Sequence, residues 1–293
     1  MASARRRPHR PASRSEGVGD NASMRIASLH LHPLKSCAPL DVDMLEITPR
    51  GPAGDRRWLV VDADARFVTG RQHGAMVGIR ARPARDGLQL DAPGMPGLHV
   101  PTPPADAPRL DVAIWRDVVD AQRCGAEADA WLSRYLGMPV RLVHMDETSR
   151  RAVDPDFATP GDVVSFADAY PLLVISQAAL DALNTRLPQP VPMARFRPNL
   201  VVEGCAPHAE DGWRRVRIGE VEFEAVKPCT RCVFTTIDPA TMARDPGGEP
   251  LRTLATYRRA PAGSGLSGVL FGMNLIPRGT GTVRRGDAVT MLA

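Results

Sequence analysis

The chain almost lacks lysine. Of its 37 basic residues only Lys35 and Lys227 are lysines, and both stand two positions before a cysteine, in Lys35-Ser36-Cys37 and Lys227-Pro228-Cys229. A compact ammonium and a planar guanidinium differ in hydration, reach and donor geometry. Two positions that resist the arginine bias therefore read as sites where that difference matters. Also missing is any apolar run near the roughly 20 residues a spanning helix needs, which speaks against a membrane protein. Cysteine is sparse and odd in number: Cys37, Cys124, Cys205, Cys229 and Cys232 are scattered, with no secretory signal. That usage excludes a disulfide scaffold and suits a reducing compartment, so a cytoplasmic location is expected.

Large apolar side chains are also nearly absent from residues 1–23. This stretch carries Arg5, Arg6, Arg7, Arg10 and Arg14 against Glu16 and Asp20, and the rest of the chain keeps 32 of the 37 basic and 31 of the 33 acidic side chains. The body is thus close to neutral, and the basic face that nucleic-acid binding requires is not expected. Pro8 and Pro11 oppose the amphipathic helix of an Arg-rich targeting peptide. Residues 1–23 read as a disordered leader, with Met24 opening the folded part.

What is present is ordinary globular material. A chain of 293 residues suffices for one large or two modest domains with real cores. Strand-like runs are expected at 25–32, 42–47, 57–62, 66–69, 76–82, 88–91 and 111–121, separated by turn residues at sandwich-like or barrel-like intervals. A helix is expected at 126–136, stopped by Gly137 and Pro139. Residues 146–166 read as a polar loop crossing between two halves. Beyond it lie a strand at 172–175, a helix at 177–187 capped by Ser176, and a strand at 200–202. A hairpin at 214–226 turns at Gly219-Glu220, and strands at 232–237 and 288–292 flank a helix at 249–259. The expected fold is α+β and strand-rich, two barrel-like modules with a few helices, divided as 24–145 and 146–293.

The pair Cys229 and Cys232, in Lys227-Pro228-Cys229-Thr230-Arg231-Cys232, is the chemistry-bearing motif. A structural zinc site would need two more ligands at similar spacing, and the sequence has no second CxxC. A thioredoxin-type pair would need a helix start, whereas β-branched residues follow here. A single thiolate metal ligand, escorted by Lys227 and Arg231, is the third reading. Two structural loop cysteines are the fourth, and spacing alone does not choose among them.

The same run, continued by Thr235-Thr236-Ile237-Asp238-Pro239, resembles the core motif of MOSC-domain proteins of the amidoxime-reducing type. The resemblance extends to Leu270-Phe271-Gly272-Met273-Asn274 and Gly286-Asp287-Ala288-Val289. Upstream, Pro33-Leu34-Lys35-Ser36-Cys37, Gly54-Asp55-Arg56-Arg57-Trp58 and Thr69-Gly70-Arg71-Gln72 are similar to the MOSC N-terminal β-barrel domain. The resemblance covers nearly everything after Met24. It implies a molybdenum cofactor (Mo-molybdopterin) held between two modules, with Cys232 as the metal ligand and Asp238 beside it. The phosphate-bearing pterin would be cradled by Lys35, Ser36, Arg56, Ser176, Arg197, Asn199, Thr230 and Arg231; Cys37, Cys124 and Cys205 would be structural. It further implies an oxidoreductase that removes oxygen from small N-hydroxylated compounds such as amidoximes or hydroxylamines. A cofactor carrier or insertion protein without turnover is the rival.

Two departures stand out. No cysteine follows Cys232, so the clustered cysteines of relatives fused to an iron–sulfur module are missing. No iron–sulfur cluster is expected in this chain, and electrons would come from a separate transfer protein. Relatives often continue Asp-Pro-x-Thr-Gly, whereas this chain reads Asp238-Pro239-Ala240-Thr241-Met242, so a different turn is expected there.

Overall fold

The computed structural model describes residues 24–292. The expected leader, 1–23, lies outside the described residues. The largest sheet has eight strands, in the order Val289–Leu292, Arg215–Ile218, Val221–Arg231, Val269–Pro277, Leu172–Ser176, Leu200–Glu203, Arg25–Leu31, Leu40–Val42. Every neighbouring pair is antiparallel except Leu172–Ser176 with Leu200–Glu203. A parallel pair needs a crossover, and the helix Gln177–Asn184 supplies it. A bridge from Arg25 to Ala288 draws the two ends of the sheet toward each other. The sheet is barrel-like without closing into a complete barrel. Its interior is apolar, with Leu29, Val174, Leu200, Phe223 and Leu275 at 0% exposure.

The second module has two antiparallel sheets. One orders Trp58–Val61, Arg141–His144, Asp117–Arg123 and Arg109–Ile114; the other orders Arg80–Ala84, Gly87–Asp91 and Leu98–Pro101. Successive strand side chains face opposite ways, so the wholly apolar run Trp58-Leu59-Val60-Val61 must serve two cores. Trp58 and Val60 pack with Leu88, Trp131 and Leu132, and Leu59 and Val61 pack with Val112, Val143 and Phe166. The helix Ala126–Leu136 ends at Gly137 in the left-handed region, as a helix stop with glycine requires.

The chain crosses between modules early. Arg25–Leu31 pairs with Leu200–Glu203, and Met44–Thr48 pairs with Gly281–Arg284. Between these strands the segment 32–37 reaches over to the second module, where Leu34 bridges Trp58. Loops from both modules therefore meet at one seam.

Several expectations change. The expected strand at 66–69 is reduced to isolated bridges at Arg66 and Phe67, and the expected strand at 76–82 starts as the 3-10 helix Gly74–Gly78 before the strand Arg80–Ala84. Residues 232–237 are not a strand: Val221–Arg231 ends first, and Val233–Thr236 forms a 3-10 turn. The hydroxyls of Thr235 and Thr236 donate back to the carbonyls of Cys232 and Val233, the local bonding by which threonine competes with a ladder. Residues 111–121 form a hairpin with Trp115-Arg116 as its two-residue loop. The helix after Ser176 stops at Asn184, whose side chain both donates to and accepts from the backbone of Val191. The central strand Val269–Pro277, buried at eight of nine positions, had no place among the expected elements; a buried run shows no period-2 alternation to betray it.

Candidate active site

At the seam lies a cleft of about 890 Å³ counting its open mouth. Lys35 and Ser36 enter it from the crossing segment, Arg56 from the loop before Trp58–Val61, and Asp168 from the loop before Leu172–Ser176. Arg197 and Asn199 enter from the loop before Leu200–Glu203, and Cys229 and Cys232 from the end of Val221–Arg231.

Three of these residues hold a backbone conformation that L-residues avoid: Ser36 at φ 68°, Arg56 at 47° and Arg197 at 57°. Each costs on the order of 1–2 kcal/mol and persists only where the surroundings over-determine it. Here they do. The Arg56 amide donates to the His32 carbonyl and its own carbonyl accepts from Phe166. Its guanidinium donates to Asp55 at 2.5 Å, to Asn199 Oδ1 at 3.0 Å and to the Arg197 carbonyl at 3.2 Å. Asn199 in turn donates to Asp55 and to the His30 carbonyl. One buried network thus fixes two strained loops against each other.

The cleft is strongly cationic. Lys35, Arg56, Arg71, Arg197 and Arg231 line it against a single carboxylate, Asp168. Lys35 Nζ donates to Asp168 at 2.5 Å and to the Phe166 carbonyl at 2.7 Å. Burial nevertheless pushes the Lys35 ammonium down to about 8. Arg197 is pushed down to about 10 by burial and the neighbouring Arg56 charge. Burial would raise Asp168, but Lys35 and Arg71 outweigh it and hold the carboxyl well below its usual range. Such an excess of buried or half-buried cations is a site built to receive an anion.

Each sulfur carries one guanidinium. Arg71 Nε donates to Cys232 Sγ at 3.2 Å, and Arg231 Nη1 donates to Cys229 Sγ at 3.0 Å. Cys229 also packs on the core of Ile175, Phe196 and Phe271, a contact Cys232 does not make. The Cys232 carbonyl accepts from both the amide and the hydroxyl of Thr235, so its backbone is held from two directions.

A MOSC N-terminal beta barrel domain profile matches residues 23–139, and a MOSC domain profile matches residues 161–290. Mitochondrial amidoxime-reducing component 1 of Mus musculus is 40% identical over 91% of this chain and 82% of its own length. This chain belongs to the MOSC-domain family of the amidoxime-reducing components. The human component 1 is 36% identical over the same shares, and the component 2 of Bos taurus 34% identical over 90% of this chain and 82% of its own. MOSC-domain membership brings molybdenum-cofactor binding with it.

In this MOSC protein Lys35, Ser36, Arg56, Arg197, Asn199, Thr230, Arg231 and Cys232 all line the one cleft. Ser176 and Asp238 do not. Ser176 is fully buried, and the anion at its helix start is the chain's own: its amide donates to Glu210 Oε1 at 3.0 Å. A helix N-terminus attracts negative charge, and in this structure the carboxyl at the Ser176 amide is that of Glu210. Asp238 accepts from Arg195 at 2.8 Å and from the amides of Ala240 and Thr241, which makes it a turn residue tied to a buried arginine. Lys227 also departs from its expected role, with its ammonium 4.0 Å above the Phe157 ring. Met242 adopts φ 61°, the left-handed conformation that suits glycine rather than methionine.

Glu210 gives a test of what this helix start does. Glu210→Ala leaves a buried amide without its acceptor, and is expected to cost about 1–3 kcal/mol. Thermal melting should record that loss while cofactor content per folded molecule stays level. A fall in content with an unchanged melting temperature would return the helix start to the cofactor site.

Sequence reasoning missed Arg71, Asp168, Phe234 and Asn274 as cleft residues. Arg71 stood inside a quoted motif and could have been found. Asp168 follows a polar loop without periodicity, and nothing local marks it.

Proposed function

We propose that the chain is a molybdenum-dependent oxidoreductase that reduces N-hydroxylated compounds, amidoximes among them. The observation that carries this reading is the position of Cys232 Sγ, a soft donor, in a cleft where five cations face one carboxylate. Those groups fit the cofactor: a thiolate for the metal, and guanidinium forks and an ammonium for a phosphate. Arg231 Nε is buried with no partner among the described residues, a donor of the kind a bound anion would satisfy.

When bound, the cofactor supplies a two-electron centre that takes up oxygen from the substrate's N–O bond. Cys232 would hold the metal, while Lys35, Ser36, Arg56, Arg197, Asn199, Thr230 and Arg231 would hold the pterin and its phosphate. Arg71 fixes the direction of the Cys232 sulfur through Nε and is itself fixed by Asp168 through Nη2 at 2.7 Å. Converting an amidoxime to an amidine consumes two electrons and two protons and releases water. We assign the electrons to a separate transfer protein. All five cysteines are free, which suits a reducing compartment, and we place the protein in the cytoplasm; the relatives carry mitochondrial names. No helix among the described residues is long and apolar enough to cross a membrane. We infer neither a membrane nor a nucleic-acid partner.

Molybdenum and pterin content, measured alongside reduction of an amidoxime by a chemical electron donor, tests this. Near-stoichiometric metal and pterin with turnover is the expected result. Cofactor that washes out on gel filtration, with no turnover, would instead establish the carrier.

A further inference from the structure

Arg71 comes to the Cys232 sulfur from the other module and is held there from several sides. Nε donates to Cys232 Sγ at 3.2 Å and Nη2 to Asp168 at 2.7 Å, while Lys35 occupies the second oxygen of that carboxylate. The Arg71 amide donates to Thr69 Oγ1 at 3.2 Å, and its carbonyl accepts from Arg244 at 2.7 Å. One face of the guanidinium lies against the Trp115 ring, its carbon 4.6 Å from the ring centre.

Trp115 is placed oddly for a ring with only packing to do. It is 51% exposed and opens the two-residue loop of the 109–123 hairpin at φ 58°, a position where glycine is the relaxed choice. Phe67, 5.0 Å away, backs it. A cation against an indole face is attracted to the ring. With that face turned from water, its charge acts more strongly on the groups it still faces. The cations of the cysteine motif do not share this frame. Lys227 rests over Phe157, and Arg231 serves Cys229 from the same strand. Among the described residues, Arg71 is the one side chain that donates to Cys232 Sγ.

A donor to a thiolate draws electron density from the sulfur. A fixed positive charge beside it favours the more electron-rich state of a metal that the sulfur binds. Both effects raise the reduction potential; net charge and hydrogen bonds to sulfur are levers by which proteins set the potential of thiolate-held centres.

We propose that Arg71 raises the reduction potential of the metal held by Cys232, and so eases entry of each electron from the donor. It is a positioning residue that acts through the sulfur, and Asp168 and Trp115 hold it in place. The proposal rests on the oxidoreductase reading above, with Cys232 as the ligand, and adds what governs electron entry. Each turnover takes two electrons, and each electron oxidises one molecule of a one-electron donor.

Arg71→Met removes the charge and the donor but keeps an unbranched stem. Arg71→Lys keeps the charge, yet a point donor cannot bond sulfur and Asp168 with one rigid fork. Redox titration of the purified holoprotein, followed by the electron paramagnetic resonance of the half-reduced metal, reads the potential without substrate. For Arg71→Met the one-electron equilibrium is expected to shift at least tenfold toward the oxidised metal, a fall of about 59 mV. Arg71→Lys should lie between it and the wild type. Turnover gives a second signature. The rate with reduced benzyl viologen, the milder donor, should fall about tenfold further in Arg71→Met than the rate with reduced methyl viologen. An unchanged or higher potential in both variants, or equal losses with the two donors, would make Arg71 a brace alone and overturn the proposal. Loss of the metal from both variants would also overturn it, by assigning Arg71 to cofactor retention. If the potential falls in the variants but not even the wild type reduces an amidoxime, the oxidoreductase reading fails and the role of Arg71 stands. A wild type that holds no molybdenum would sink both.

Discussion

Cys232→Ser is expected to abolish amidoxime reduction, and Cys229→Ser to retain most of it. The two sulfurs share a motif, a cleft and one guanidinium apiece, so residue type and charge do not rank them. Their anchoring does. Cys229 spends part of its surface on the core of Ile175, Phe196 and Phe271, and its guanidinium comes from its own strand. Cys232 makes no such contact, its carbonyl is doubly held by Thr235, and Arg71 reaches it from the other module. A metal ligand needs that fixed aim. Losing an outer partner of a metal site costs roughly 10–100-fold, and losing the ligand itself should exceed that. Cys229→Ser should cost some thermal stability through lost packing. Cys232→Ser should leave the fold and much of the pterin content, because the phosphate anchors stay. Turnover, molybdenum and pterin content of both variants decide the matter. An active Cys232→Ser protein, or an inactive Cys229→Ser one with its cofactor bound, would assign the metal to the other sulfur.

Lys35→Arg is expected to weaken cofactor retention about tenfold or more, on the scale of a lost outer-shell partner, although the charge is conserved. Lys35 is 5% exposed, and its ammonium fits between Asp168 and the Phe166 carbonyl. A guanidinium is larger and planar, and Arg71 and Arg151 already crowd the same aspartate. A pH series adds a second signature. With the Lys35 ammonium pushed down to about 8, the cation that would hold phosphate is lost as pH rises through 8, and retention should fall there. Stability of the cofactor-free protein should move the opposite way. Between about 8 and the ordinary lysine value of 10.5 the unfolded chain binds the proton that the folded one has shed, so stability rises with pH across that window. In Lys35→Arg both trends should flatten. Wild-type retention at neutral pH, or an unchanged pH profile in the variant, would reduce the lysine pattern to coincidence.

Much of the fold was legible because its signals are local. Alternation marked the first strand, Gly137 and Pro139 ended the first long helix, and Gly219-Glu220 closed a hairpin. The failures were also local, where two readings of the same residues compete. The β-branched run after Cys232 looked like a strand, yet its threonines bond to their own backbone. The Trp115 turn was hidden because tryptophan is not a turn residue. Ser176 was readable as the residue that opens the helix, but its side chain makes no capping bond, and the acceptor of its amide, Glu210, comes from 34 positions away.

The sequence by itself determined the strand-rich class, the cysteine pair, the two lysines and the motifs that mark the family. These rest on residue type and short spacing, which survive without a folded chain. Only the tertiary structure decided which groups meet. Arg71 and Cys232 are 161 residues apart, Lys35 and Asp168 are 133, and Arg56 and Asn199 are 143. Ser36, Arg56 and Arg197 take their left-handed conformations where these distant loops lock together. The physical reason is the early crossing of the chain: strand 25–31 is built into the large sheet beside strand 200–203, and segment 32–37 leans on the other module. Short-range preference cannot encode that seam, because it exists only once both modules have folded and packed.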